Sequence, residues 1–262
     1  MKITLLPKIV PFLAAVLLLT QGSSLLQASG KASKPSPDKV LKKLKEGNER
    51  FYTGNATLPH QTQERIRQAG KKDQGDHAFA TIMTCSDSRV PVELLFDSGI
   101  MDLFVVRVAG NVCSTNEIGS IEYGLAHVNT PVLVVLGHTQ CGAVAAVTHA
   151  LHGKEQKFER NIPPLVAPIK PAVERAIHDH PDIEGDAIIP FAIEENVWEA
   201  ISNLFKQSPA TRNLVREGKV KVVGAIYDVG TGKVKWLPEK HVQELLEKAE
   251  TSPNAASYPY AK

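Results

Sequence analysis

The chain has 262 residues, of which 43% are hydrophobic and 22% are charged, and its formal net charge is +2. This is the composition of a globular protein, and the length allows one large domain with a substantial core or at most two small ones. The near-neutral charge and the scattered lysines and arginines exclude a basic surface of the kind that binds nucleic acid, so no nucleic-acid partner is expected.

The first thirty residues differ from the rest of the chain. A positive start precedes residues 9–20, an apolar run of twelve. That run is shorter than the ~20 apolar residues needed to cross a bilayer. Small residues follow it, as in a secretory signal cleaved after Ala28 or Gly30. We therefore predict a signal peptide over residues 1–30 and a secreted or periplasmic protein without stable membrane insertion after cleavage. An uncleaved membrane anchor is the alternative.

The rest of the chain shows one domain with short flanking segments. A Ser/Pro-rich linker is predicted over residues 31–37, a single domain over 38–248 and a flexible tail over 249–262. The domain opens with apolar residues at helical spacing, which predict an amphipathic helix over 38–52 with Asp38 as its N-cap. No Pro/Gly-rich segment divides this domain into two.

The middle of the domain alternates strands with helices. Three apolar, β-rich runs are continuous rather than alternating, which indicates strands buried on both faces of a parallel sheet. They lie at 79–85, 103–108 and 131–138, and helical patterns lie at 63–70, 91–99, 116–129, 142–153, 164–180 and 188–208. An alternating segment with a Gly-Thr-Gly turn at 219–237 predicts a final hairpin. The expected fold is α/β, with about four parallel strands and an antiparallel edge strand flanked by helices.

Three cysteines are too few for a disulfide framework in a domain of this size. Two of them stand in the segments CSDSRV (85–90) and HTQCG (138–142), each at the C-terminal end of a predicted strand. Because sites in open parallel sheets form at this edge, Cys85, His138 and Cys141 are expected to converge. Two thiolates and one imidazole are a catalytic type of zinc ligand set, with the fourth position open. The alternatives are that Cys85 is a buried apolar residue and that the His-x-x-Cys spacing arose by chance.

Asp87 and Arg89 follow Cys85 at two and four residues, so all three side chains can face one side. A carboxylate paired with an arginine stays ionised and can accept a hydrogen bond from metal-bound water. Asp87 could instead be the fourth metal ligand. A third interpretation is a local ion pair that braces a loop.

Together with RVAGN (107–111) and IEY (121–123), these motifs resemble the β-class carbonic anhydrases, from about Asp38 through the final hairpin. The resemblance implies that family's fold and one Zn²⁺ per subunit, held by the two cysteines and the histidine named above. It implies that Asp87 and Arg89 form a catalytic dyad. It also implies a homodimer or tetramer in which N-terminal helices wrap onto the partner subunit.

The activity that the resemblance implies is the reversible hydration of CO2 to bicarbonate and a proton. Zinc lowers the pKa of bound water toward ~7, and the hydroxide so formed attacks CO2. Asp87, held by Arg89, would orient that hydroxide. Phe104, Tyr123 and Gly142 match the family's substrate-pocket positions, and core packing is the alternative role for the two aromatic residues.

Two positions depart from the family's pattern. Many members have a glutamine shortly before the first metal strand, where this chain has Asp76, with Gln74 two residues earlier. An allosteric subtype carries a tryptophan three residues before the first zinc cysteine, where this chain has Ile82. The second departure favours water over Asp87 as the fourth ligand.

Two other functions remain open at this point. One is hydrolysis of CS2 or carbonyl sulfide at the same zinc site, and the other is a non-catalytic zinc-binding scaffold. The intact Asp87–Arg89 pair argues against the scaffold. Cys113 has no ligand partner at motif spacing and is predicted to be a buried free thiol. His127, His149 and His152 are expected at the surface or in packing roles, with proton transfer as the alternative.

Overall fold

The computed structural model describes residues 34–154 and 157–252. The predicted signal peptide, the first three residues of the predicted linker and residues 253–262 of the predicted tail lie outside the described residues. Among the helices in the two described ranges, none combines the length and the hydropathy that a membrane span requires.

A sheet lies at the centre of the described chain. Its strands are β1 (Ala80–Thr84), β2 (Leu103–Arg107), β3 (Val132–His138), β4 (Lys221–Tyr227) and β5 (Val234–Trp236). Their spatial order is β2-β1-β3-β4-β5, so β2 and β5 are the edges. The first four strands are parallel, and β5 runs antiparallel to β4. The predicted fold class, with four parallel strands and an antiparallel edge strand, is therefore confirmed.

Helices cover both faces of the sheet. Within the described residues they are α1 (Pro37–Tyr52), α2 (Gln63–Ala69), α3 (Val92–Leu95), α4 (Thr115–Glu122), α5 (Gly142–Leu151), α6 (Ile162–Val166), α7 (Lys170–Asp179), α8 (Ile189–Gln207), α9 (Pro209–Arg216) and α10 (Glu239–Thr251). Short 3₁₀ turns lie at Gln74–Asp76, Ala109–Asn111, Ala167–Ile169 and Gly185–Ile188, and a π turn at Tyr123–His127 extends α4.

Burial on both faces explains why the strands read as continuous apolar runs. Every residue of β1 and β3 is buried. Along β3, Leu133 and Val135 belong to the apolar layer that includes residues of α5, α7 and α8. Val132, Val134 and Leu136 belong to the opposite layer, with residues of α1 and α3. Burial of each such side chain stabilises the folded state by about 1.5–3 kcal/mol. The sheet is therefore a rigid base for the loops at its edge.

Helix α1 packs on the sheet of its own chain through one face. Its apolar stripe, Val40, Leu41 and Leu44, is at most 5% exposed. The helix begins at Pro37, one residue before the predicted start, and Asp38 lies in its first turn rather than at the N-cap. Proline suits this first position because its missing N–H has no helical partner there.

Asn48 fixes α1 to the rest of the fold. Its amide nitrogen donates to the carbonyl oxygens of Leu95, at 3.1 Å, and Gly232, at 2.9 Å. Its side-chain oxygen accepts from the backbone nitrogen of Val234 at 2.9 Å. Asn48 is 3% exposed, so these bonds satisfy a buried polar group while joining α1 to α3 and to the β4–β5 hairpin.

Several predicted boundaries need correction. The single helix expected over 164–180 is divided into α6, a 3₁₀ turn and α7, because Pro168 and Pro171 cannot donate helical hydrogen bonds. The tail predicted from 249 begins too early. Helix α10 continues to Thr251, since Ala249 is buried at 2% exposure.

Candidate metal centre

Three predicted ligands meet at the C-terminal edge of the sheet. Thr84 at the end of β1 pairs with Leu136 of β3, so Cys85 and His138 leave the sheet side by side. Cys141 follows three residues later, where α5 begins. Their ligand atoms all lie within 4.8 Å of one another, and all three residues are buried. The convergence predicted from strand ends is what the structure contains.

His138 presents an unpaired nitrogen to this cluster. Its Nδ1 lies 2.9 Å from the carbonyl oxygen of Thr139, which can only accept, so Nδ1 carries the proton. Its Nε2 is buried and has no hydrogen-bond partner among the described residues. Burying such an atom unpaired costs about 1–3 kcal/mol. A lone pair fixed in this way is the arrangement of a metal-binding histidine.

The two thiols influence each other directly. The pKa of Cys85 is lowered to about 4, chiefly because the Cys141 thiol donates a hydrogen bond to it, with further help from the Gly110 amide. The same hydrogen bond, together with burial, raises the pKa of Cys141 above its ordinary value. The lowered pKa of Cys85 favours its thiolate, which is the form that binds metal. A set of two soft sulfur ligands and one imidazole fits zinc.

Gly110 is the residue that lets the backbone support Cys85. Its N–H donates to Cys85 Sγ at 3.3 Å. Its φ of +74° lies in the left-handed region that favours glycine. A Cβ at this position would also lie 2.7 Å from Cδ1 of Ile169 and 3.0 Å from Cβ of Ala143. Both the conformation and the space therefore require glycine.

Asp87 and Arg89 form a close pair beside the cluster. The Arg89 backbone nitrogen and Nε donate to Asp87 Oδ1 at 2.9 and 3.0 Å, and Nη2 donates to Oδ2 at 2.7 Å. The Arg89 hydrogen bonds hold the pKa of the Asp87 carboxyl well below its usual range. Asp87 Oδ2 lies 3.9 Å from His138 Nε2, so the carboxylate faces the ligand atoms. It is 18% exposed, and the site therefore opens to solvent on this side.

Gln140 and Arg107, which are not among the predicted site residues, brace this pair. Arg89 Nη2 donates to the backbone oxygen of Gln140 at 3.1 Å, and Nη1 donates to its side-chain oxygen at 3.4 Å. Arg107 donates to the carbonyl oxygens of Cys85, at 3.0 Å, and Asp87, at 2.6 Å. Arg107 is the first residue of the RVAGN segment, which was the sequence signal for it. The strand register places it opposite Thr84, next to Cys85. Gln140 stands between two of the predicted ligands.

The predicted substrate residues are divided between two places. Gly142 is the first residue of α5, directly after Cys141, and is exposed. The rings of Phe104 and Tyr123 contact each other, with centroids 6.1 Å apart. Phe104 pairs with Thr81, three residues or ~10 Å before the end of β1. Within one chain the two aromatic residues are thus not beside the metal ligands.

The other residues singled out in the sequence lie away from the cluster. Cys113 is 3% exposed, and burial raises its pKa to about 12, so it is a neutral thiol in the core. His127 stacks on Tyr123 with ring centroids 5.2 Å apart. His149 Nε2 lies 2.9 Å from Asp186 Oδ1. His152 is exposed at the end of α5.

The positions that depart from the family's pattern also lie away from the metal ligands. Gln74 and Asp76 lie in the 3₁₀ turn before β1, at the opposite end of that strand from Cys85. Ile82 is fully buried within β1 and belongs to the apolar layer with α1 and α3.

Known proteins share both the sequence pattern and the fold. Residues 80–234 match the family model described as carbonic anhydrase. Carbonic anhydrase 2 of Mycobacterium tuberculosis is 34% identical over 200 residues, which cover 76% of this chain and 91% of that protein. The carbonic anhydrase of Mycolicibacterium smegmatis is 36% identical over 201 residues, covering 76% of this chain and 92% of that protein.

Two solved structures resemble the fold. The β-carbonic anhydrase CafA of Aspergillus fumigatus has a TM-score of 0.59 at 25% identity, covering 82% of this chain and 99% of that chain. The β-carbonic anhydrase CcaA has a TM-score of 0.56 at 25% identity, covering 76% of this chain and 92% of that chain.

Proposed function

Because the chain belongs to the carbonic anhydrase family, in its β class, we propose that it is a zinc enzyme that interconverts CO2 and bicarbonate. The observation that carries the proposal is the buried cluster of Cys85, His138 and Cys141, whose ligand atoms lie within 4.8 Å of one another. The unpaired His138 Nε2 at its centre supports a metal there rather than a packed polar core.

The protein would hold zinc through the two thiolates and His138 Nε2, one ion per chain. When bound, zinc supplies Lewis-acid activation of a water molecule at neutral pH. The chain's own contribution is to fix the ligands. The Thr139 carbonyl sets the protonation of His138, and the Gly110 amide hydrogen-bonds Cys85 Sγ. Such outer partners orient metal ligands and tune the metal's reactivity.

Asp87 would accept a hydrogen bond from the water that attacks CO2 and so set its orientation. Its hydrogen bonds to Arg89 keep it ionised, and an ionised carboxylate can only accept. The alternative is that Asp87, whose Oδ2 lies 3.9 Å from His138 Nε2, is the fourth ligand and closes the site. Ile82 in place of a tryptophan supports the open form.

We further propose a homodimer, or a tetramer built from it, that completes the substrate pocket. CO2 is small and apolar and needs apolar walls, yet Phe104 and Tyr123 lie away from the metal ligands of their own chain. Phe104 belongs to β2, an edge strand, and Tyr123, whose ring contacts Phe104, is 52% exposed. Two β2 edges paired antiparallel about a two-fold axis would bring each aromatic pair toward the other chain's Cys85 end. Light scattering measures the mass, and a monomer that hydrates CO2 at full rate would contradict this arrangement.

A stopped-flow assay of CO2 hydration, with zinc measured on the same sample, tests the activity. We expect turnover proportional to zinc, up to one ion per chain. Carbonyl sulfide and CS2 are assayed in parallel by release of hydrogen sulfide. A zinc-loaded protein that neither hydrates CO2 nor hydrolyses the two sulfur compounds would be a scaffold. One that releases hydrogen sulfide without hydrating CO2 would be a different hydrolase.

We propose that the protein acts outside the cytoplasmic membrane, on the strength of the apolar run and small residues in the first thirty positions. In its native host we expect the mature protein in the exported fraction, beginning at Ser29 or Lys31. N-terminal sequencing after fractionation measures this, and deletion of residues 2–30 should retain the protein in the cytoplasm. An intact N-terminus in the cytoplasmic fraction would refute export.

A further inference from the structure

A cavity lies behind the loop that carries His138 and Cys141. Its volume is about 650 Å³, within the 300–1,000 Å³ typical of small-molecule sites. It lies between α5, the first turns of α8 and the C-terminal end of β4. Thr139 and Gln140, the two residues between His138 and Cys141, form part of its wall. The cavity is thus next to the metal centre but contains none of its ligands.

The walls of this cavity are mostly apolar. Ala145 of α5, Ile226 of β4 and the α8 residues Ile189, Phe191 and Ile193 line it. Phe191 packs against the ring of His180, with centroids 4.0 Å apart, and is still 37% exposed. A ring-sized apolar body would remove these side chains from water, and apolar burial is the main driving force for binding in such pockets.

The charged groups at the rim are already paired with one another. Asp186 contacts His149 at 2.9 Å and Lys154 at 3.2 Å. Glu194 contacts Lys235 at 2.8 Å. An ionic ligand would find each charge balanced by a neighbour, so the chemistry favours a neutral one. The side-chain nitrogen of Gln140 can donate to such a ligand, because only the side-chain oxygen has a hydrogen-bond partner among the described residues.

Gln140 also joins the cavity to the reactive pair. Both its backbone oxygen and its side-chain oxygen accept hydrogen bonds from Arg89, which in turn holds Asp87. Its φ of +57° restricts the backbone, since few non-glycine residues adopt the left-handed region. A ligand that contacts Gln140 would therefore act on the hydrogen bonds of Arg89.

We propose that this cavity binds a small neutral molecule with an apolar, ring-sized body and one hydrogen-bonding group, and that Gln140 transmits its binding to the Arg89–Asp87 pair. Binding needs only the cavity, whereas its effect on turnover rests on the proposed function.

The probe is 6-propionyl-2-(dimethylamino)naphthalene, a neutral aromatic ketone whose carbonyl oxygen can accept from the Gln140 amide and which fluoresces in apolar surroundings, added to the zinc-loaded full chain. We expect saturable binding of one probe per chain. Ala145→Phe fills the cavity from α5 and should weaken binding at least about tenfold, since overfilled apolar sites do not accommodate further atoms. Ala150→Phe makes the same change at an exposed position of the same helix and should bind as the wild type does. Phe191→Ser, at a half-exposed wall position, should also weaken binding.

The second measurement is CO2 hydration at saturating probe. We expect kcat/KM to change at least about twofold in the wild type and to stay constant in Gln140→Ala, measured at a probe concentration that saturates that variant. Absence of saturable fluorescence, or equal affinity in Ala145→Phe and Ala150→Phe, would overturn the site. Probe binding without any change in turnover would overturn the coupling through Gln140. Since fluorescence does not depend on catalysis, failure of the proposed function would appear separately, as a protein that binds the probe and hydrates no CO2.

Discussion

Replacing Cys141 by alanine should abolish zinc binding and CO2 hydration together. Cys141 is 1% exposed, and its sulfur lies within 4.8 Å of the other two ligand atoms. Its loss leaves one thiolate and one imidazole, which cannot complete a tetrahedral site with only one open position. Loss of an outer partner already costs about 10–100-fold in affinity or activity, so loss of a ligand should cost at least about 10³-fold. Zinc content and stopped-flow hydration on the same preparation measure both effects.

Cys113→Ala is the matched control, because Cys113 is also buried, at 3% exposure, and has no role in the cluster. It should keep zinc and turnover and lose only about 1 kcal/mol of unfolding free energy from the small cavity. Chelation of zinc from the wild type should reproduce the Cys141→Ala result and be reversed by added Zn²⁺. Circular dichroism of both samples separates metal loss from unfolding. Full turnover in metal-free protein would contradict a metal mechanism.

The metal cluster was predictable because it depends on a local pattern and a general rule. Continuous apolar runs located β1 and β3, and the rule that sites form at the carboxyl ends of parallel strands brought Cys85 to His138. Cys141 followed from its short spacing to His138. None of these steps needed the contacts of distant side chains.

The support around the cluster was not predictable in the same way. Arg107 and Gly110 reach Cys85 across 22 and 25 residues of sequence, and Arg89 reaches Gln140 across 51. Such contacts depend on register and loop path, which periodicity does not specify. The segments before and after the clear strands show the same limit, since α9 and α10 received no prediction and α3 has only four residues of the longer helix expected.

The substrate residues show a different limit. Phe104 and Tyr123 are adjacent in the chain's fold, yet their distance from the metal ligands depends on how copies associate. Association through an edge strand uses backbone groups that every sequence has. Motif spacing therefore carries no information about which chain's aromatic residues complete a given site.

Asp87→Asn should keep zinc bound while lowering kcat/KM by about 10²–10³-fold, the loss typical for one preorganised polar group. The amide has nearly the same shape as the carboxylate, but one of its two heteroatoms is a donor. That donor would face Arg89, which has only donors to offer. The hydrogen bonds of 2.7–3.0 Å by which Arg89 orients the carboxylate would therefore be lost. Zinc analysis and stopped-flow kinetics measure the two quantities separately.

The control for the Asp87 change is Glu64→Gln, which breaks the surface pair with Arg67 at 2.9 Å, where both side chains are 63% exposed. It should leave turnover unchanged, because exposed ion pairs contribute little.

The pH profile of CO2 hydration is a second test of the role of Asp87. Since the pKa of Asp87 is held well below its usual range, Asp87 stays ionised as the pH falls from 7 through about 4. Any loss of activity over that interval must come from another group, and the profile of Asp87→Asn should keep the same inflection at a lower rate. Loss of zinc from Asp87→Asn would make Asp87 a ligand. Normal turnover would reduce the pair to a brace for its loop.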